Sequence, residues 1–208
     1  MAVYVLGVSG GSGMILAYKA LRLLLAHGHY VHLVCSESAL VAMRFEMDEQ
    51  INHVSKWIDS LPIEQQKRVK RHTNKEVSAL IASGTYEISG TLIMPCSMAS
   101  VAAFAHGIGD NLIRRAVDVA IKEQIPCVIV PRESPFSPIH LDNMSRLASC
   151  GVSIQCPVPA WYNRPSSLDD VENQIVGKAL RGIGAKDAAE GVLTIWSPER
   201  VKNSSKKT

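Results

Sequence analysis

The sequence has few aromatic residues, 5% of 208, and little excess charge, a formal +3. No basic stripe interleaved with aromatics occurs, which speaks against nucleic acid as a partner. Much of the positive charge sits in Lys202, Lys206 and Lys207, among Asn and Ser. Residues 197–208 are therefore expected to form a basic, polar, disordered tail behind a single domain over 1–196. No apolar run is long enough to span a membrane. The apolar run at the N-terminus lacks a basic flank and stops at Ser9-Gly10, which argues against a signal peptide. The five cysteines (Cys35, Cys96, Cys127, Cys150, Cys156) are odd in number and form no Cys-x-x-Cys pair. Buried, reduced thiols in a cytoplasmic protein are the simplest account.

What is present is an alternation of short apolar runs and amphipathic stretches. Val3–Val8 reads as a strand that enters Ser9-Gly10-Gly11-Ser12-Gly13 and then a helix over Met14–Ala26. A Gly-Ser turn between strand and helix offers free N–H groups and a positive dipole end to a phosphate. Neither Gly-x-Gly-x-x-Gly nor a Walker lysine is present, so the turn alone favours phosphate binding over a merely tight turn and does not name the ligand. His29–Cys35 reads as the second strand, with Ser36 at its end. His27, His29 and His32 match no metal-ligand spacing and read as surface histidines. Ser38–Phe45 reads as a helix, and Glu46 after it, judged by its neighbours alone, as a solvated carboxylate. Residues 48–75 read as a surface insertion with one or two short helices or strands. Its basic cluster Lys67–His72 reads as a solvated face.

Further on, Val77–Ser83 reads as a short helix and Gly90–Met94 as a strand that closes at Pro95-Cys96-Ser97. Val101–His106 reads as a small-residue helix. Ile139–Ser149 is amphipathic, Val152–Cys156 reads as a strand, and Val171–Ile183 as the last long helix. Between these lies Asn111–Glu133, a helical stretch followed by the apolar run Cys127–Val130 and then Pro131-Arg132-Glu133. Arg115, Asp118 and Lys122 share one helix face. An apolar strand ending in charge is the pattern of a buried parallel sheet, whose ligands bind beyond the carboxyl ends of the strands. Two cations and an Arg-Glu pair could thus converge on one anion, or form a solvated face with a salt-bridged loop. The fold expected is α/β: one Rossmann-like, three-layer domain with a mostly parallel sheet flanked by helices.

Several segments together resemble the UbiX-like flavin prenyltransferases, part of a broader flavoprotein superfamily. They are Gly7–Gly13, Ile81–Thr85, Pro95–Met98, Gly107–Leu112, Arg115–Val119, Val130–Pro135, Ile139–Met144 and Pro159–Asn163. The resemblance covers most of residues 3–184. It implies an enzyme that joins a dimethylallyl group from dimethylallyl phosphate to N5 and C6 of reduced FMN without metal, which suits the lack of an Asp-rich metal motif. The product, prenylated FMN, would serve a UbiD-like decarboxylase, with ubiquinone biosynthesis as the natural setting, and the chain would form a homododecamer. The alternatives are a non-catalytic FMN-binding partner of a decarboxylase, or an FMN-dependent cysteine-type decarboxylase. The second is disfavoured because Pro95-Cys96-Ser97-Met98 stands where a Pro-x-Met-Asn motif would be required.

Carried over by position, the resemblance places Gly10, Gly11 and Ser12 against FMN. It gives Ser36, Ser97, Met98, Ala99 and Ser100 to the FMN phosphate and ribityl chain, and Arg132 to the flavin. Ser12 and Glu133 become a polar pair beside N5. Glu46, Arg115, Lys122, Tyr162 and Lys178 surround the prenyl phosphate, some of them from neighbouring subunits. Glu46 would carry protons, and Trp196 would close the pocket. Lys178 stands where the family usually has Arg, so the charge remains but the bidentate fork is lost. Asp118 gains no catalytic role and is expected to orient Arg115 or Lys122.

Overall fold

The computed structural model describes residues 1–195. In chain order the elements are β1 (Val3–Val8), α1 (Met14–Ala26), β2 (Tyr30–Cys35), α2 (Glu37–Glu46), α3 (Val54–Asp59), α4 (Ile63–Gln66) and β3 (Val69–Thr73). They continue with β4 (Gly90–Cys96), α5 (Met98–Ala105), α6 (Leu112–Lys122), β5 (Cys127–Pro131), α7 (Pro138–Ser149), β6 (Ser153–Ile154), α8 (Leu168–Gly182) and α9 (Lys186–Ala189). The strands form one sheet in the order β3-β2-β1-β4-β5-β6, and every pairing is parallel. This is the doubly wound arrangement expected, with the crevice of the strand-order reversal between β1 and β4.

Helices cover both faces. On one face α1 buries Met14, Ala17, Leu21, Leu24 and Leu25 completely and packs beside α8. Each large side chain removed from water there contributes about 2 kcal/mol. On the other face α6 buries Leu112, Ile113, Ala116 and Val117 within the second core cluster. The apolar runs of β1, β4 and β5 are buried on both faces, as central parallel strands must be.

Several boundaries differ from the sequence reading. Residues 48–75 carry short helices and a strand, as expected, but are not confined to the surface. Trp57 is fully buried, packs against Tyr18 with the rings tilted by 46° and donates Nε1–H to Ile51 O at 2.7 Å. The cluster Lys67–His72 is not simply a solvated face, because Val69–Thr73 pairs with β2 as an edge strand and buries His72. His29 and His32 are buried too, and of the three candidate surface histidines His27 alone is exposed. The helix expected over Val77–Ser83 shrinks to one 3-10 turn, Leu80–Ala82. Helix α5 starts at Met98, three residues earlier than the apolar pattern indicates, because Ser97 caps it. Strand β6 keeps only Ser153–Ile154. Burial pushes the thiols of Cys35 and Cys127 up to about 12 and raises that of Cys96 further, so all three stay protonated.

Candidate functional site

The turns that follow β1 and β4 lock together at the crevice. Ser9 N donates to Pro95 O at 3.1 Å, and Ser97 N donates to Ser9 Oγ at 2.8 Å. Gly11 is buried against this junction, where a Cβ would lie 3.1 Å from Cys96 O. A Cβ on Gly10 would lie 2.5 Å from Ser38 Oγ, so only glycine lets this backbone approach the start of α2. Among the described residues, the N–H groups of Gly10 and Ser12 have no hydrogen-bond partner. The strands thus deliver a double turn with open N–H donors, flanked by the N-termini of α1, α2 and α5. That is the composition of a phosphate cradle.

Local caps place the serines. Ser36 caps α2, its Oγ accepting from Ala39 N at 3.1 Å and lying 3.0 Å from Ser38 Oγ. Ser97 caps α5, accepting from Ser100 N and donating its hydroxyl to Ser100 Oγ at 3.0 Å. Met98, Ala99 and Ser100 form the first turn of that helix. All of these candidates therefore stand on the carboxyl edge of the sheet.

Glu46 is exposed, as expected, but its carboxylate is engaged. Gly13, with φ at 110°, has no side chain to cap α1. The carboxylate of Glu46, from the end of α2, accepts from Gly13 N at 2.8 Å and Met14 N at 3.0 Å. A negative group on these two donors is favoured by the helix dipole. The structure therefore joins Glu46 to the Gly-Ser turn across 33 residues of sequence.

Arg132 and Glu133 follow β5 on the same edge. Arg132 N donates to Cys96 O at 3.4 Å, which ties the end of β5 to the β4 turn. The guanidinium of Arg132 has no partner among the described residues, and Glu133 Oε1 accepts from Ser134 N at 3.0 Å. The convergence of both pairs of charges on one anion, left open by the sequence, does not occur within one chain. Helix α6 starts at the carboxyl edge, where Leu112 N meets Asn74 O, and descends to the loop that enters β5. Lys122 at its end lies on the opposite edge from Arg132. Seven residues of helix separate it from Arg115 by about 10 Å. Arg115 pairs with Asp118 at 2.8 Å, as the i+3 spacing indicates, while Lys122 pairs with Glu123 at 2.7 Å. Both cations keep substantial exposure.

Tyr162 and Lys178 meet at a third place. They line one cavity of about 180 Å³ together with Gln155, Cys156 and Pro159. Lys178 has no ion-pair partner among the described residues. Trp196 and the tail 197–208 lie outside the described residues. Among the described residues no group of three or more His, Cys, Asp and Glu could hold a metal ion. Sequence reasoning missed three buried polar residues, His32, His72 and Asn74, because each bonds a partner distant in sequence. His32 Nδ1 and His72 Nε2 share a hydrogen bond at 2.8 Å, and Asn74 accepts from the first turn of α6.

A family model described as Flavoprotein matches residues 2–179. The flavin prenyltransferase UbiX of Chlamydia trachomatis is 39% identical over 180 residues, 86% of this chain and 91% of that protein. The chain belongs to the UbiX-like flavin prenyltransferases of the flavoprotein family. Solved structures agree with this membership. AnUbiX (PadA1), crystallised with FMN and dimethylallyl pyrophosphate, superposes with a TM-score of 0.84 at 33% identity, covering 94% of this chain and 97% of that one. A dodecameric FMN-dependent Ubix-like decarboxylase from Escherichia coli O157:H7 gives 0.83 at 30% identity, covering 94% and 99%. The single domain with its parallel sheet flanked by helices is therefore that of this family's fold.

Proposed function

We propose that this chain transfers a dimethylallyl group from dimethylallyl phosphate to reduced FMN, giving prenylated FMN. The observation that carries the reading is the double turn at the β1/β4 crevice. Its open N–H donors, three serine-rich helix starts and adjacent Arg132 guanidinium fit the phosphate, ribityl chain and flavin of FMN. Reduced FMN supplies the nucleophilic N5 and C6. The C–O bond of the allylic phosphate breaks as its carbon bonds N5, whose proton leaves with the phosphate; the alkene then takes up a proton as its tertiary carbon bonds C6, whose own proton leaves, so FMN gains C5H8 in all.

The residues divide the work by charge. Gly10, Gly11 and Ser12 approach the flavin, while Ser36 and Ser97–Ser100 receive its phosphate and ribityl chain. Arg132 lies along the flavin. Ser12 and Glu133 form the polar pair that handles the N5 proton. The leaving phosphate takes positive charge from Arg115, Lys122 and Lys178, which replaces the role of a metal. Tyr162 and Trp196 supply aromatic faces to a carbocation-like prenyl fragment. Glu46 exchanges a proton with the departing phosphate.

Lys122, at the end of α6, stands at the far edge of its own sheet, so the complete site requires Lys122 from a neighbouring copy. A homododecamer, the state of the Escherichia coli relative, supplies such neighbours. The product passes to a UbiD-like decarboxylase, with ubiquinone biosynthesis as the setting and the cytoplasm as the place. Anaerobic incubation with reduced FMN and dimethylallyl phosphate, followed by mass spectrometry, tests the reading. Bound FMN that gains no C5H8 unit would leave only an FMN-binding partner.

A further inference from the structure

The segment from Asn74 to Gly84 runs down the outside of α6 and touches both of its cations. At the top, Asn74 O accepts from Leu112 N at 2.8 Å, and its Oδ1 accepts from Ile113 N at 3.1 Å. Lower down, Ala82 O accepts from Arg115 Nη2 at 3.5 Å. Lower still, a Cβ on Gly84 would stand 2.6 Å from Lys122 Nζ, so the backbone there packs directly on that side chain. The segment itself contains only one 3-10 turn. A strap with so little regular structure needs to be held at its ends.

Both ends are held by one residue. His72, two residues before Asn74, shares a 2.8 Å hydrogen bond with His32 Nδ1. Tyr86, two residues after Gly84, places its hydroxyl 3.0 Å from the other ring nitrogen, Nε2 of His32. The rings of His32 and His72 stack 7° from parallel with centroids 5.1 Å apart, and Glu76 lies 3.2 Å from His72 Nδ1. His32 is 4% exposed and sits on β2, a central strand packed from both sides. With one ring it closes a loop whose two ends are 14 residues apart in sequence. The loop so closed carries Ala82 and Gly84 to the cations.

We propose that His32 is a positioning residue for prenyl transfer. It clasps the ends of the 74–84 strap through His72 and Tyr86, and the strap fixes the Arg115–Lys122 row that receives the leaving phosphate. Every link to His32 is a hydrogen bond or a packed contact remote from the phosphate row, so the clasp acts on geometry. The inference rests on the proposed role of Arg115 and Lys122.

Tyr86→Phe tests it with the smallest perturbation, since it removes one hydroxyl from the clasp and leaves the ring in place. The expected result, with the assembled protein, reduced FMN and dimethylallyl phosphate, is a KM for the prenyl phosphate raised about fivefold, the equivalent of one lost hydrogen bond. The affinity for FMN stays unchanged. Asn74→Ala produces the same split and Asn74→Asp restores it, because the carboxylate keeps the acceptor at the helix start. Loss of thermal stability in Tyr86→Phe and Asn74→Ala with an unaltered KM overturns the proposal and leaves the clasp purely structural. Arg115→Ala separates the two levels. If it leaves KM unchanged, the phosphate role of the row fails; if it raises KM while the clasp variants do not, the positioning role alone fails.

Discussion

Glu46 offers two separable effects in one side chain. Its carboxylate accepts from Gly13 N and Met14 N at 2.8 and 3.0 Å, where α1 has no cap of its own. Removing such a cap costs about 1 kcal/mol. For a chain of this size that corresponds to a fall in Tm of about 3 °C. Glu46→Ala loses both contacts and should show this fall. Glu46→Gln keeps one carbonyl acceptor and should retain most of the stability, and FMN should co-purify with it. Turnover responds differently. A carboxamide cannot carry a proton, and the loss of a general acid–base group lowers rates by about a hundredfold or more. Differential scanning fluorimetry and single-turnover formation of prenylated FMN therefore read the two roles apart. If Glu46→Gln turns over at the full rate, the proton role is wrong and Glu46 is only a cap. If Glu46→Ala leaves Tm unchanged, the capping contact contributes nothing.

Lys122→Ala should cut turnover while FMN still co-purifies, because the role proposed for Lys122 is toward the leaving phosphate and not toward FMN; loss of FMN would place Lys122 wrongly. Gly10→Ala should abolish FMN retention, since its methyl would meet Ser38 Oγ at 2.5 Å and Cβ at 2.6 Å. Ser38→Gly in the same chain should restore retention, and a Gly10→Ala protein that holds FMN normally would count against the cradle. Burial, with His72 and Lys70 adding to it, pushes His32 down from 6.5 to about 4. The folded state therefore binds this proton less readily than the unfolded chain. Stability should fall as pH drops from about 6.5 towards 4 and level off below that. His32→Asn should flatten this part of the Tm-versus-pH curve; an unchanged curve would assign the titration elsewhere. Trp57→Ala should destabilise by about 4 kcal/mol, as a fully buried Trp does, and chemical denaturation showing less than 1 kcal/mol would place Trp57 outside the core.

The sheet centre and the Gly-Ser turns were legible because their signals are local. Strands β1, β4 and β5 are continuous apolar runs, and the glycines and serines of the cradle follow them directly. Strand β3 was not legible. Its sequence Val-Lys-Arg-His-Thr exposes Lys70, Arg71 and Thr73 on an edge, and its one buried side chain is a histidine whose partner, His32, lies 40 residues away. The capping role of Glu46 was hidden for the same reason, being made across 33 residues. Periodicity placed Arg115, Asp118 and Lys122 on one helix face, which holds. It carries no information about which edge of the sheet each end of the helix reaches. That depends on the parallel crossover, and it separates Lys122 from Arg132. The candidate residues are thus named by the sequence, while which edge of the sheet each one reaches needs the fold.

The central claim is tested most directly by the product itself. The purified protein is incubated anaerobically with reduced FMN and dimethylallyl phosphate, and the flavin is analysed by mass spectrometry. Addition of one C5H8 unit to FMN, with release of an equal amount of inorganic phosphate, is the predicted result. FMN recovered unmodified from a protein that binds it would contradict the claim.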